Sequence, residues 1–120
     1  MVKKCMVVAV VLSVFLAFAG SCYAAETIKI GYVGALTGDT ALWGQAGLNG
    51  MLLTAEKVNA AGGVLGRQIE IIGADGRGDP QDSVNALIRL IDNDNVVAVV
   101  GTNFSSCNIP MASVADQKKV

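Results

Sequence analysis

Val96-Val97-Ala98-Val99-Val100 is an unbroken apolar run, four of its five residues β-branched, bounded by Asn95 and Gly101. Such a run fits a strand covered on both faces, the signature of a parallel sheet. Toward the N-terminus, Asp92-Asn93-Asp94-Asn95 ends a helix expected over Pro80 to Asn93, whose Val84, Leu87, Ile88 and Ile91 share one stripe. The loop before it, Asp75-Gly76-Arg77-Gly78-Asp79-Pro80, closes with a residue suited to an N-cap and a proline suited to the first helical position. Gln68 to Ala74 (QIEIIGA) predicts a second strand, and Thr27 to Ala35 (TIKIGYVGA) predicts the first.

Between these two strands, Thr40 to Ala61 sets Leu48, Met51, Leu52, Ala55 and Val58 on one helical face, with Asn49, Lys57 and Asn59 opposite. Gly62-Gly63 supplies the left-handed stop. Beyond Val100, Gly101 to Asn108 is an exit loop, and a third helix is expected from Ile109 or Pro110 to Lys118, with Asn108 as its cap. Three β-α units imply an α/β fold, a doubly wound parallel sheet with right-handed crossovers and strand order 2-1-3. A fourth strand is expected after Lys118-Lys119-Val120, because three parallel strands leave an edge bare and a core of this size is marginal. The chain is therefore expected to be the N-terminal portion of a longer protein.

The first 24 residues read differently. Lys3 and Lys4 precede an apolar run from Cys5 to Gly20 broken only by Ser13, followed by Ser21-Cys22-Tyr23-Ala24. This charged, apolar and small order is that of a secretory signal over 1–24, cleaved after Ala24, which leaves 25–120 as the working part. Ala19-Gly20-Ser21-Cys22 also permits lipidation at Cys22, and a retained anchor is disfavoured because the run is shorter than a spanning helix needs. The expected destination is a bacterial periplasm.

Composition excludes several classes. The chain contains no histidine. This removes Ser-His-Asp and Cys-His catalysis and HExxH zinc sites together. After position 24 there are seven Lys/Arg against ten Asp/Glu, a net charge of −3 that argues against a nucleic-acid partner. Only Cys107 lies beyond the leader, so no internal disulfide is available there, and without a base it reads as a packing residue. No metal or cofactor is implied.

Ligands of an open parallel sheet bind outside the carboxyl ends of its strands, where strand order reverses. With order 2-1-3 that point lies between the first and third strands, so Leu36 to Gly47 should face Gly101 to Asn108. Tyr32, Trp43 and Phe104 are the aromatics after the leader, and the last two fall in these segments. Trp43 offers a flat apolar wall for a ligand, or else a plug for the top of the sheet. Ser105 and Ser106 precede a helix and suit a small carboxylate, or else only cap that helix.

Other patterns carry less. Gly34-Ala35-Leu36-Thr37-Gly38 resembles a phosphate loop, but Asp39 stands where Lys-Ser/Thr is required, and Gly31 with Gly34 lacks a third glycine for a dinucleotide fingerprint. A Rossmann-like enzyme is disfavoured accordingly. Arg77-Gly78-Asp79 is a short adhesion-like tripeptide in which Asp79 is better explained as a cap. Asp75 with Asp79, and Asp92 with Asp94, lack the order of a calcium loop.

Taken in order, several stretches resemble the solute-binding proteins of branched-chain amino-acid ABC transporters, the type I periplasmic binding proteins of the leucine/isoleucine/valine kind. They are Ile28-Lys29-Ile30-Gly31 with Gly34 to Gly38, Trp43-Gly44, Val58 to Arg67 (VNAAGGVLGR), Asp75 with Asp79-Pro80, and Val99-Val100-Gly101 with Ser105-Ser106 and Pro110. The resemblance implies a bilobal clamshell of which this is the first part of the N-terminal lobe, with no enzymatic activity. It implies that Trp43 touches the ligand, that Ser105 holds an amino acid's α-carboxylate, and that Ser106 and Phe104 assist. The implied partners are a small amino acid, branched-chain or a related carboxylate or amide, and an ABC permease in the inner membrane. Some family members join the Asp-Pro loop to the third-strand exit by a disulfide; Gly78 and Phe104 stand at those places here, which argues against leucine itself. A ligand-sensing ectodomain of a chemoreceptor or kinase with the same lobe is the alternative.

Overall fold

The computed structural model describes residues 26–120, so the expected signal segment 1–24, including Cys22, lies outside the described residues. Its elements are β1 (Ile28–Gly34), α1 (Ala41–Ala60), β2 (Ile69–Asp75), α2 (Pro80–Asp92), β3 (Ala98–Val100) and α3 (Ser105–Lys118). The strands form one parallel sheet in the order β2-β1-β3, with Ile28 opposite Ile69, Gly34 opposite Asp75, and Tyr32 opposite Val100. The sheet order matches the expected 2-1-3, and Gly62 and Gly63 (φ 105° and 76°) close α1, their N–H groups donating to the Asn59 and Val58 carbonyls.

The sheet has two unlike faces. Val33 and Ala74 point to the side of α2 and α3, where Leu87, Leu90, Val96 and Met111 join them in the buried core. Leu87 and Leu90 are 1 % and 0 % exposed. On the other side α1 packs on β1 and β2, with Gly44 and Ala55 as its buried residues and Leu52 and Leu53 exposed.

Three expectations require correction. The run Val96 to Val100 is not covered on both faces: β3 is three residues long, Val99 is half-buried, and Ala98 and Val100 are exposed. The reason is topological. Within residues 26–120, α1 stands over β1 and β2 and not over β3, and β3 is the outermost strand on its side of the sheet.

The third helix begins at Ser105, four residues before Ile109, with Phe104 at the cap position. A short turn starts it early: the Phe104 N–H donates to Thr102 Oγ1 (2.8 Å), and the Cys107 and Asn108 N–H groups donate to the Phe104 carbonyl (3.1 and 3.0 Å). Asn108 is thereby inside the helix. Its side chain folds back on Thr102, accepting from the backbone N–H at 2.9 Å and donating to the carbonyl at 2.7 Å. Pro110 falls in the second turn, where it lacks the N–H that would reach Ser106.

Asn59 does not point to solvent. Its amide donates to the Ile69 carbonyl (2.8 Å) and accepts from the Ile69 N–H (2.7 Å), closing the start of the outer edge of β2.

Candidate functional site

The carboxyl ends of adjacent strands β1 and β3 lead directly into the N-termini of α1 and α3. Asp75, at the end of β2, organises the first of these exits. One carboxylate oxygen accepts from the backbone N–H of Leu36 and of Arg77, each at 2.9 Å, and the other accepts from the Thr37 hydroxyl. Burial pushes the Asp75 pKa up, but the Thr37 hydroxyl and the N–H groups of Arg77, Leu36 and Thr37 outweigh it and hold the carboxyl below its ordinary value. The Gly34 to Gly38 loop thus engages an N–H with the protein's own carboxylate. That geometry is not a phosphate cradle.

The β2 exit turns sharply through Arg77 (φ 52°) and Gly78 (φ 72°). Around Gly78 the three exits meet: a Cβ there would lie 3.3 Å from Thr40 Oγ1, 3.7 Å from Phe104 Cε2 and 3.8 Å from Ala35 Cβ. The left-handed backbone and these neighbours together favour glycine. Thr40 directly precedes α1 and Phe104 directly precedes α3, so both helix starts converge on this point.

α1 carries Trp43 in its first turn rather than in a loop, and the indole is 65 % exposed. The plug alternative therefore fails, since the top of the sheet under α1 is filled by Tyr32 instead. Ser105 and Ser106 are the first two residues of α3, both exposed. They do not cap it: no side chain caps this helix, and among the described residues neither hydroxyl has a hydrogen-bond partner. In the first turn the Cys107 N–H donates to the Phe104 carbonyl, while the N–H groups of Ser105 and Ser106 have no hydrogen-bond partner among the described residues. An anion placed there meets free N–H groups, two hydroxyls and the positive end of the helix dipole. Phe104 is half-buried, its ring packed on Gly78.

The neighbouring start of α2 is closed. Asp79 accepts from the Gln81 and Asp82 N–H groups at 2.8 and 2.9 Å, so the Arg77-Gly78-Asp79 tripeptide has its carboxylate occupied. Cys107 is fully buried and free, and no group of three or more potential metal-ligating side chains forms among the described residues. A polar groove of about 320 Å³ is lined by Asp75, Arg77, Asp82, Asn85 and Arg89, and an apolar one of about 280 Å³ runs between β3 and α3 past Val99, Met111 and Ala115. Neither contains Trp43, Phe104, Ser105 or Ser106. Trp43 follows the β1 exit in the first turn of α1, and Phe104, Ser105 and Ser106 follow the β3 exit at the start of α3.

Strand order by itself puts Trp43 and the serine pair in the segments that follow β1 and β3. It gives no hint of Asp75 as the organiser of the β1 exit, because a carboxylate 39 residues from its Leu36 partner leaves no local signal.

The architecture is a doubly wound parallel sheet whose helix starts converge at the carboxyl ends of its strands. The chain belongs to the periplasmic binding protein family, which it matches over residues 27–120. It is 38 % identical over 97 residues to an amino acid binding protein of Pseudomonas aeruginosa, covering 81 % of this chain and 26 % of that protein. It is also 38 % identical over 103 residues to a leucine-, isoleucine-, valine-, threonine- and alanine-binding protein of the same organism, covering 86 % and 27 %. Among solved structures it is similar to the branched-chain amino acid transporter substrate-binding protein of Streptococcus pneumoniae in complex with isoleucine, with TM-score 0.75 and 32 % identity over 79 % of this chain and 27 % of that one. The chain spans about a quarter of the length of the curated relatives it matches. The family is one of solute-binding proteins.

Proposed function

We propose that this chain forms the first part of the N-terminal lobe of an exported receptor that captures a small amino acid, branched-chain or a related carboxylate or amide, and delivers it to an ABC permease of the inner membrane. Residues 1–24 act as its signal segment, with Cys22 as a candidate lipidation point. The observation that carries the proposal is the uncapped start of α3, which follows the carboxyl end of β3, while the exposed indole follows that of the adjacent parallel strand β1. The names of the relatives support the ligand class.

In this proposal the Ser105 hydroxyl and the first-turn N–H groups of α3 receive the α-carboxylate, with Ser106 beside it. Trp43 covers the aliphatic side chain, and Phe104 forms the rim. A second lobe closes over the other side by hinge motion, which adds the contacts that an open wall lacks. Calorimetric titration of the complete gene product with a panel of amino acids, amides and short acids tests it. An aliphatic amino acid should bind, and Ser105→Ala should weaken it by about tenfold, the worth of one hydrogen bond to a charged group. Failure of every panel member to bind would overturn the proposal.

A further inference from the structure

The start of α1 is a poor helix by its own sequence. Thr40 provides no side-chain cap, and Gly44, Gly47 and Gly50 all fall in the first ten residues. Each glycine costs about 1 kcal/mol against alanine in a helix interior. Two of them have a visible purpose. Tyr32 on β1 is 3 % exposed, and its hydroxyl donates to the Gly44 carbonyl at 3.0 Å in a buried hydrogen bond. A Cβ on Gly47 would lie 3.0 Å from the ring's Cζ and closer still to its oxygen, and one on Gly44 would overlap the Ala35 carbonyl. Gly34, on β1 itself, completes the slot, since a Cβ there would lie 2.5 Å from Cε1 of the same ring. The phenol thus occupies a seat formed by glycines, and its one polar atom grips the carbonyl of Gly44, the residue after Trp43.

We propose that Tyr32 is a positioning residue for Trp43: its hydroxyl pins the weak first turn of α1 to the sheet and so fixes the indole as a ready-made ligand wall. An indole already held in place loses less freedom when a ligand arrives, which is how preorganisation raises affinity. Gln45, whose side chain donates to the Leu36 carbonyl at 2.9 Å, braces the same turn from outside. The functional part of this inference rests on the receptor function proposed above.

The test uses the complete gene product and two variants. Tyr32→Phe keeps the ring and removes the hydroxyl; Gly47→Ala keeps the phenol and displaces its oxygen. Calorimetric affinity for the amino acid that binds the wild type is measured well below each unfolding midpoint. The fluorescence anisotropy of Trp43 without ligand is obtained by subtracting the Trp43→Phe protein. Both variants should bind about fivefold more weakly, the equivalent of one hydrogen bond, and show lower Trp43 anisotropy. A merely structural Tyr32 would lower the unfolding midpoint while affinity and anisotropy stayed at wild-type values, and that result overturns the inference. Gly47→Ala adds helix propensity, so a propensity effect alone would move anisotropy the opposite way. If the wild type binds nothing, the receptor proposal falls, while the anisotropy still decides whether Tyr32 holds the indole. If Tyr32→Phe fails to fold, Gly47→Ala alone decides.

Discussion

Two helix starts at the same end of the sheet are built in opposite ways. At α2 the cap, the proline and the free N–H groups form a closed set: Asp79 accepts from Gln81 and Asp82, and Pro80 at the first position has no N–H to satisfy. At α3 an aromatic residue holds the cap position, no side chain caps the turn, and two serines expose their hydroxyls. A helix end left unsatisfied loses about 1 kcal/mol that a cap would supply. The difference is one of completion: α2 is finished by its own sequence, while no side chain finishes the start of α3.

Moving the cap from one helix to the other breaks the contrast. Phe104→Asp would place a carboxylate where the proposed ligand carboxylate docks, engaging the same N–H groups and repelling the anion. Amino-acid affinity should fall by about a hundredfold in calorimetry, since charge-assisted hydrogen bonds are worth roughly 1.5–3 kcal/mol. Unchanged affinity would show that the start of α3 is not an anion site.

The reverse change is smaller and of another kind. Asp79→Ala should reduce unfolding free energy by about 1 kcal/mol in urea melts, through loss of the cap, and leave ligand affinity unaltered. An affinity loss there would mean that the two helix starts are coupled through the Gly78 junction.

The smallest effect sharpens the contrast at the β1 exit. The pKa of Asp75 in the folded protein lies below its ordinary value of 3.8. Its contribution to stability is therefore full above that value and is lost as pH falls through the lower, folded one. The urea midpoint should drop between pH 7 and pH 3, and Asp75→Asn should show less of that drop.

Much of this arrangement is legible in the order of residues. The alternation of Thr27–Ala35, Gln68–Ala74 and Val96–Val100 with amphipathic stretches specifies three β-α units, and Asp79-Pro80 and Gly62-Gly63 mark their boundaries through local backbone chemistry. The start of α3 is not legible in this way: Pro110 mimics a first-turn proline and draws the expected start to Ile109, whereas the Thr102 side chain begins the turn earlier. Asn59 reads as a surface residue on a helical wheel. Its partner Ile69 is ten residues on, beyond the reach of helical periodicity.

By itself the sequence determined the order of elements and the parallel sheet, because hydrophobic period and turn chemistry are local properties. Only the tertiary structure decided which groups stay unsatisfied at the strand ends. The Asp75 clamp, the glycine seat of Tyr32 and the meeting of three exits at Gly78 all depend on which distant backbone arrives beside which side chain. A one-dimensional pattern does not encode that adjacency.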